Sequence, residues 1–214
     1  MEGVKLTKEE IIKTEVMGAS LQLFKRYGYQ KTTMEDIARA IGRGKSTLYY
    51  YYNSKEEIFE AILLREAKEF FSAIAKKVEK ASTAEEKLKA YVLTAYQVMN
   101  EKALLNDVIL GEMIKVDGAS SMHPSMMEHI ETFNKKWFEI IREILVFGID
   151  SKEFNKSVLD DLDTISLVLV SSLSSTVLML AHYKDSREEG SVMPVSHVLG
   201  SLINILINGL KYKS

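Results

Sequence analysis

One short stretch, residues 32–57, constrains the fold more than any other part of this chain. Within it, Ile37 and Ile41 stand at helical spacing, and Gly42 follows them at a position where helices commonly end. A second helical run, Lys45 to Tyr52, begins almost at once. Two short helices joined by a tight turn that contains glycine are typical of a helix-turn-helix. The stretch therefore predicts this motif in the first part of the chain.

Two hydroxyl–carboxylate pairs in the same stretch predict where helices begin. Thr32 and Glu35 have the spacing of a capping box, in which each side chain bonds a free backbone N–H of the first helical turn. Ser54 and Glu57 have the same spacing. We therefore expect Thr32 to cap the first helix of the motif, and Ser54 to open a third helix.

The second helix of the motif has an outward surface that suits nucleic acid. Leu48 and Tyr52 can point inward, which leaves three i, i+4 pairs facing out. These pairs supply a cation, hydroxyls and aromatic rings but no carboxylate: Lys45 with Tyr49, Ser46 with Tyr50, and Thr47 with Tyr51. Cations and hydroxyls bind phosphates, and base edges accept hydroxyl and aromatic contacts. The alternative is a solvated cationic surface beside tyrosines of a small core; the helix-turn-helix spacing favours DNA.

This part of the chain resembles the DNA-binding domain of the TetR family of bacterial transcriptional regulators. The resemblance is carried by GASLQLFKRYGY at 18–29, TTMEDIA at 32–38, Gly42, KSTLYYYY at 45–52 and SKEE at 54–57. It implies phosphate contacts from Lys45, Tyr49, Tyr50 and Lys55, and base-edge contacts from Ser46, Thr47 and Tyr51. Thr33 completes the predicted DNA-binding set. Three positions depart from the usual residues of the family: Arg43 replaces an apolar residue, Ser46 a glycine and Tyr51 a histidine. These differences affect which operator sequence is bound rather than the binding mode.

Composition narrows the class of protein further. The chain has 214 residues and a net charge of -2, so any surface for nucleic acid must be a local one. It contains no cysteine, which excludes disulfides and thiolate metal sites and suits a reducing cytoplasm. Only Pro124 and Pro194 interrupt the helical patterns. We therefore predict an all-α, cytoplasmic protein.

The predicted architecture has two domains. Residues 1–56 form an N-terminal three-helix helix-turn-helix domain, and residues 57–214 form a larger C-terminal helical bundle for ligand binding and dimerisation. Helices are expected at about 8–27, 54–80, 83–102, 104–116, 124–147, 158–183 and 196–210, with a polar connection at 148–155.

The last two helical runs are unusually apolar. Residues 165–181 carry no charge and approach the length of a membrane span, but they contain many serines and lack flanking cations. A buried helix is the better interpretation, and with the last helix it predicts a four-helix dimer interface. The candidate interface residues are Ser171, Ser175, Leu178, Leu199, Leu202 and Leu206. The alternative is that both helices fill one monomeric core.

Aromatic and methionine side chains in the middle of the chain suit an adaptable apolar pocket. The resemblance implies a small-molecule effector there, with candidate contacts Tyr91, Tyr96, Met99, Met113, Phe133, Trp137 and His182. At helical spacing the same residues also suit a plain core.

The remaining motifs do not indicate an enzyme. Residues 42–47, GRGKST, resemble the end of a phosphate-binding loop, but Arg39 replaces its first glycine and a helical pattern precedes it. The four histidines lack metal-binding spacing. We predict no cofactor and no metal. The predicted function is a homodimeric repressor of a near-palindromic operator, released by a largely apolar effector. A helical small-molecule-binding protein without DNA function is the alternative.

Overall fold

The computed structural model describes residues 7–101, 124–183 and 194–211, and these contain helices and no strand. The helices are α1 (Lys8–Tyr27), α2 (Met34–Ala40), α3 (Lys45–Tyr51), α4 (Lys55–Glu79), α5 (Ala84–Glu101), α6 (Pro124–Asp150), a 3-10 helix (Lys156–Leu159), α7 (Leu162–Tyr183) and α8 (Val195–Leu210). The all-α prediction is confirmed. The helix predicted at 104–116 and the candidate Met113 lie outside the described residues.

Helix α2 is capped by Thr33, not by the predicted Thr32. The Thr33 hydroxyl accepts a hydrogen bond from the Asp36 backbone N–H at 3.2 Å, and the Asp36 carboxylate accepts one from the Thr33 N–H at 3.0 Å. Thr32 is buried instead, and its hydroxyl donates to the Gly28 carbonyl at 2.9 Å. The predicted Thr32–Glu35 cap was wrong because Thr32 closes the preceding turn.

The chain divides into two compact units. The first contains residues 7–67 and 124–129, and the second contains residues 68–101, 130–183 and 194–211. Helix α4 contributes residues to both units, so the domain boundary predicted at residues 56 and 57 stays a prediction. In the first unit, Phe24, Tyr29 and Phe59 pack their rings 5.0 to 5.8 Å apart beside Ile37 and Leu48, and this core fixes the helix-turn-helix.

In the second unit, α6 runs to Asp150, beyond the end predicted near residue 147. The side chain of Phe154 folds back on Gly148, where an added Cβ would overlap the Phe154 ring and lie 2.9 Å from the Ala84 Cβ. Glu153 then accepts hydrogen bonds from the Ala84 N–H at 2.9 and 3.0 Å. The predicted polar connection thus serves as the cap of α5.

Helix α7 contains the charge-free run at 165–181. None of the helices in the described ranges is both long and apolar enough to cross a membrane.

Candidate functional site

Helix α3 is fixed by its inner side and presents its outer side to solvent. Leu48 is fully buried and Tyr52, which follows the helix, is nearly so. Tyr50 is 80% exposed, and Tyr49 is also exposed. The remaining side chains of the outer face, Lys45, Ser46, Thr47 and Tyr51, are exposed or half-buried. The structure therefore places six of the eight predicted DNA-binding residues on α3, although Tyr51 is half-buried and packs against the core of the first unit.

Lys45 already has a partner on this face. Its ammonium pairs with the carboxylate of Glu35 on α2 and lies 5.7 Å from the ring centroid of Tyr49. The hydrogen bond between them raises the pKa of Lys45 and lowers the pKa of Glu35. A phosphate that binds Lys45 must therefore compete with an exposed carboxylate, which spacing within α3 alone did not indicate.

Lys55 has a different environment from Lys45. Its ammonium donates to the backbone carbonyls of Tyr29 at 2.8 Å and Thr32 at 3.1 Å, with Gln30 at 3.4 Å. It also lies 4.4 Å from the Tyr29 ring centroid. An ammonium has three N–H donors, so these carbonyls occupy all of them. Lys55 thereby joins the start of α4 to the connection between α1 and α2.

Thr33 and Arg43 also have hydrogen-bond or ion-pair partners within the first unit. Thr33 is exposed, and its hydroxyl also donates to the Asp36 carboxylate at 2.6 Å. Arg43, which replaces an apolar residue in the resemblance, pairs with Glu15 of α1 at 3.0 Å. The arginine thus contributes a contact between the turn and α1.

The described effector candidates lie in the second unit, around one aromatic cluster. Tyr91 and Trp137 are buried with ring centroids 5.6 Å apart, and Phe133 is 6.0 Å from Trp137. Phe70 stacks on Trp137 at 5.0 Å, and Phe71 lies 4.8 Å from Phe133. Both phenylalanines were absent from the predicted set, although they are adjacent aromatics on one helix.

The other candidates surround or adjoin this cluster. Tyr96 and Met99 are half-buried against the same core, and His182 belongs to α7.

An exposed apolar face runs along α7 and α8. The predicted residues Ser171 and Ser175 are exposed on α7, next to Val168, which is 57% exposed. On α8, Ile205 is 70% exposed. The predicted set contains neither Val168 nor Ile205. Both helices are apolar on several sides, so the sequence does not indicate which side of each helix faces solvent.

The remaining interface candidates differ in burial. Leu199 is buried in the core of the second unit, and Leu202 and Leu206 are half-buried at its edge. Leu178 belongs to α7.

Comparison with known proteins places this helix-turn-helix in a family. Residues 16–62 match the model described as bacterial regulatory proteins, tetR family. The matched range contains α2, α3 and the core residues that hold them. The helix-turn-helix region of the chain is therefore similar to the DNA-binding part of the tetR family.

Two curated relatives are similar to part of this chain. The biofilm operon icaADBC HTH-type negative transcriptional regulator IcaR of Staphylococcus epidermidis is 38% identical over 48 residues, which are 22% of this chain and 26% of that protein. IcaR of Staphylococcus aureus is 37% identical over 49 residues, which are 23% and 26%. The chain therefore spans about a quarter of the length of the curated relatives it matches.

Solved structures extend the similarity to the fold of the whole chain. The fatty acid degradation regulator FadR of Bacillus halodurans matches with a TM-score of 0.72 at 19% identity, over 98% of this chain and 100% of that chain. FadR of Bacillus subtilis in complex with stearoyl-CoA matches with a TM-score of 0.71 at 18% identity, over 92% and 98%. These identities show a shared all-α fold. The relatives and structures named here are all described as regulators.

The described residues offer no candidate site for a metal ion. Across residues 7–101, 124–183 and 194–211, no group of three or more histidine, aspartate or glutamate side chains is placed to hold an ion. His129 instead pairs with Glu60 at 2.5 Å within the first unit.

Proposed function

We propose that this tetR-family protein is a DNA-binding transcriptional repressor that acts as a homodimer in the cytoplasm. The observation that carries the proposal is the exposed outer side of α3, to which the helix itself contributes a lysine, hydroxyls and aromatic rings but no carboxylate, and whose inner side Leu48 and Tyr52 bury. Each α3 enters a major groove, and the two half-sites of a near-palindromic operator lie about one helical turn apart, roughly 34 to 36 Å. The curated IcaR relatives are named negative regulators, which supports repression.

The residues of the α3 face divide between phosphates and bases in this proposal. Lys45 and the hydroxyls of Tyr49 and Tyr50 bind phosphates and fix the position of α3. Ser46, Thr47 and Tyr51 contact base edges, where hydroxyl and aromatic groups discriminate between bases. Thr33 and Lys55 flank this face, the first as a cap of α2 and the second through its backbone contacts.

The second half of the proposal is release by a small, largely apolar effector bound in the second unit. The buried aromatic cluster around Trp137 supports an apolar ligand, and a structural neighbour, FadR of Bacillus subtilis, was solved with stearoyl-CoA. The effector lowers operator affinity if it binds better to a form whose two α3 helices are off the groove spacing. Operator must then weaken effector binding by the same factor.

The DNA function is tested with duplexes from the region that flanks the gene itself. Fluorescence anisotropy should show saturable binding that Tyr50→Ala weakens by about 10-fold or more, because the side chain lies on the α3 face. Tyr27→Ala is the matched control, since Tyr27 is also an exposed tyrosine of the first unit but lies on α1. Equal losses in both variants, or no binding by the wild type, would favour the helical ligand-binding alternative.

The linkage is tested separately. Stearoyl-CoA is the first probe, and its dissociation constant is measured by calorimetry with and without saturating operator. We expect weaker binding in the presence of operator. An unchanged dissociation constant would contradict release by this class of ligand.

A further inference from the structure

Two buried hydrogen-bond donors in the second unit have no acceptor among the described residues. They are the hydroxyl of Tyr91 on α5 and the indole Nε1–H of Trp137 on α6. Tyr91 is fully buried, Trp137 is 5% exposed, and their rings meet edge to face with centroids 5.6 Å apart. Native proteins bond nearly all buried donors, because an unbonded one loses its water without compensation. Two such donors on adjoining side chains therefore point to an acceptor that does not belong to the described residues.

The surroundings of these donors are aromatic and uncharged. Phe70 stacks on the Trp137 ring at 5.0 Å, and Phe133 lies 6.0 Å from it. Burial raises the pKa of the Tyr91 hydroxyl, and no charged neighbour contributes to that shift. The hydroxyl therefore stays a neutral donor. The cation of this cluster, Lys136, is exposed and lies 5.1 Å from the ring centroid of Phe71.

This arrangement discriminates between classes of ligand. An indole N–H only donates, so its partner must be an acceptor. A carboxylate would lose its hydration without gaining a cation beside Tyr91, which is costly. A carbonyl oxygen has two lone pairs, no proton of its own and no charge, so it can accept from both a hydroxyl and an indole N–H.

We propose that Tyr91 and Trp137 bind the effector through an uncharged carbonyl oxygen, that of an ester, thioester or ketone, while the surrounding rings contact its apolar tail. This inference rests on the proposed function, because it names the chemical class of the effector that the second unit binds. Tyr91 and Trp137 select the polar end of the ligand, and Phe70 and Phe133 contact the chain next to it.

The test uses Trp137 as a reporter, since it is the chain's one tryptophan. The full-length protein is titrated with methyl decanoate and with decanoate, which share a hydrocarbon chain and differ in charge. We expect methyl decanoate to change Trp137 fluorescence and to bind at least about 10-fold more tightly than decanoate. Tighter binding of decanoate, or no binding of the ester up to its solubility limit, would overturn the proposal.

Removing one donor isolates its role. Tyr91→Phe deletes only the hydroxyl, and we expect it to weaken methyl decanoate binding about 3- to 10-fold, the range for one neutral hydrogen bond. Tyr27→Phe is the control for the same chemical change outside the second unit. Trp137→Phe should produce a similar loss, measured by calorimetry because the fluorophore is gone. Equal ester affinity in Tyr91→Phe and wild type would overturn the proposal.

A stability measurement separates ligand binding from a structural role. If only the ligand bonds the Tyr91 hydroxyl, that hydroxyl does not stabilise the ligand-free fold, so Tyr91→Phe should leave the ligand-free Tm unchanged or raise it. The increase in Tm caused by methyl decanoate should shrink in the variant. A lower ligand-free Tm would show that the hydroxyl is bonded within the protein, against the proposal.

Operator binding by the same variants distinguishes this inference from the proposed function. If the protein binds operator but Tyr91→Phe leaves its ester affinity unchanged, the ligand assignment fails and the proposed DNA function stands. If ester binding depends on Tyr91 and no operator is bound, the proposed DNA function fails and the ligand assignment stands.

Discussion

At the scale of single residues, the ion pair between Lys45 and Glu35 limits how strongly α3 attracts phosphate. Both side chains are exposed, so the pair exchanges with water and salt, and it contributes little to folding. Its effect falls on DNA binding instead, because the lysine must leave one anion to bind another. Lys55, in contrast, already uses its donors within the fold.

The first prediction follows from this contrast. Lys45→Ala should weaken binding to every DNA sequence and reduce the dependence of log K on log salt concentration by about one, since one phosphate contact is lost. Glu35→Gln should strengthen binding by about twofold to fivefold, because an exposed competing anion is removed. Anisotropy titrations across salt concentrations measure both.

The control for this prediction is Lys55→Ala, another loss of one lysine. It should lower the free energy of unfolding by about 1–3 kcal/mol, as expected when a hydrogen-bonded charge is removed from backbone carbonyls. An unaltered salt slope in Lys45→Ala would refute its role at phosphate.

At the scale of helices, local signals were predictable and contacts between segments were not. The bounds of α1 were predicted as residues 8–27 and are confirmed, because Gly28 adopts a φ of +85° that ends the helix within its own sequence neighbourhood. The cap of α2 was wrong, since Thr32 and Thr33 are both plausible caps and only the packing of Thr32 against Gly28 decides between them. The same limit hid the partner of Lys45, which belongs to a different helix.

The contact between Gly148 and Phe154 leads to a second prediction. Gly148→Ala should lower the free energy of unfolding by about 1–3 kcal/mol, because the added methyl overlaps the Phe154 ring and approaches Ala84. Gly18→Ala is the matched control: Gly18 is an interior residue of α1 with no heavy atom near an added Cβ, so it should stabilise by about 0.5–1 kcal/mol. Chemical denaturation measures both changes, and equal effects would contradict the close packing at Gly148.

A carboxylate in the first turn of α5 makes the packing of that helix dependent on pH. Glu85 accepts hydrogen bonds from Lys211 at 2.8 Å and from Lys89 at 2.6 Å, and these lower its pKa to about 2. A lowered pKa stabilises the folded state above the ordinary value of 4.5, and the contribution is lost as the pH falls from there towards 2.

The third prediction is therefore a difference between two pH profiles. Wild type should be more stable than Glu85→Gln at neutral pH, and this advantage should disappear as the pH falls from about 4.5 to about 2. Urea denaturation across this range measures it. Glu101→Gln, an exposed carboxylate at the other end of α5, is the control. A difference that stayed constant with pH would exclude the ion pairs as its cause.

At the scale of the whole molecule, the proposed homodimer depends on the exposed apolar side chains of α7 and α8. Apolar side chains such as Val168 and Ile205 are stabilised by removal from water, and the small side chains of Ser171 and Ser175 permit close approach of another helix. A twofold pairing of these faces buries the same patch on both subunits and presents two recognition helices. In that arrangement, operator affinity depends on dimer formation.

The fourth prediction tests that coupling. Ile205→Asp places a charge on this face at a residue that is 70% exposed in one chain, so it should leave each chain folded but raise the concentration needed for dimer formation by about 10-fold or more. Operator affinity should fall with it, because a monomer binds one half-site and loses the benefit of the second.

Leu93→Asp is the matched control, since Leu93 is 49% exposed on α5 and lies outside the face. Sedimentation velocity measures the dimer, and anisotropy measures the operator complex. If Ile205→Asp dimerised and bound operator as Leu93→Asp does, another surface would have to join the two chains.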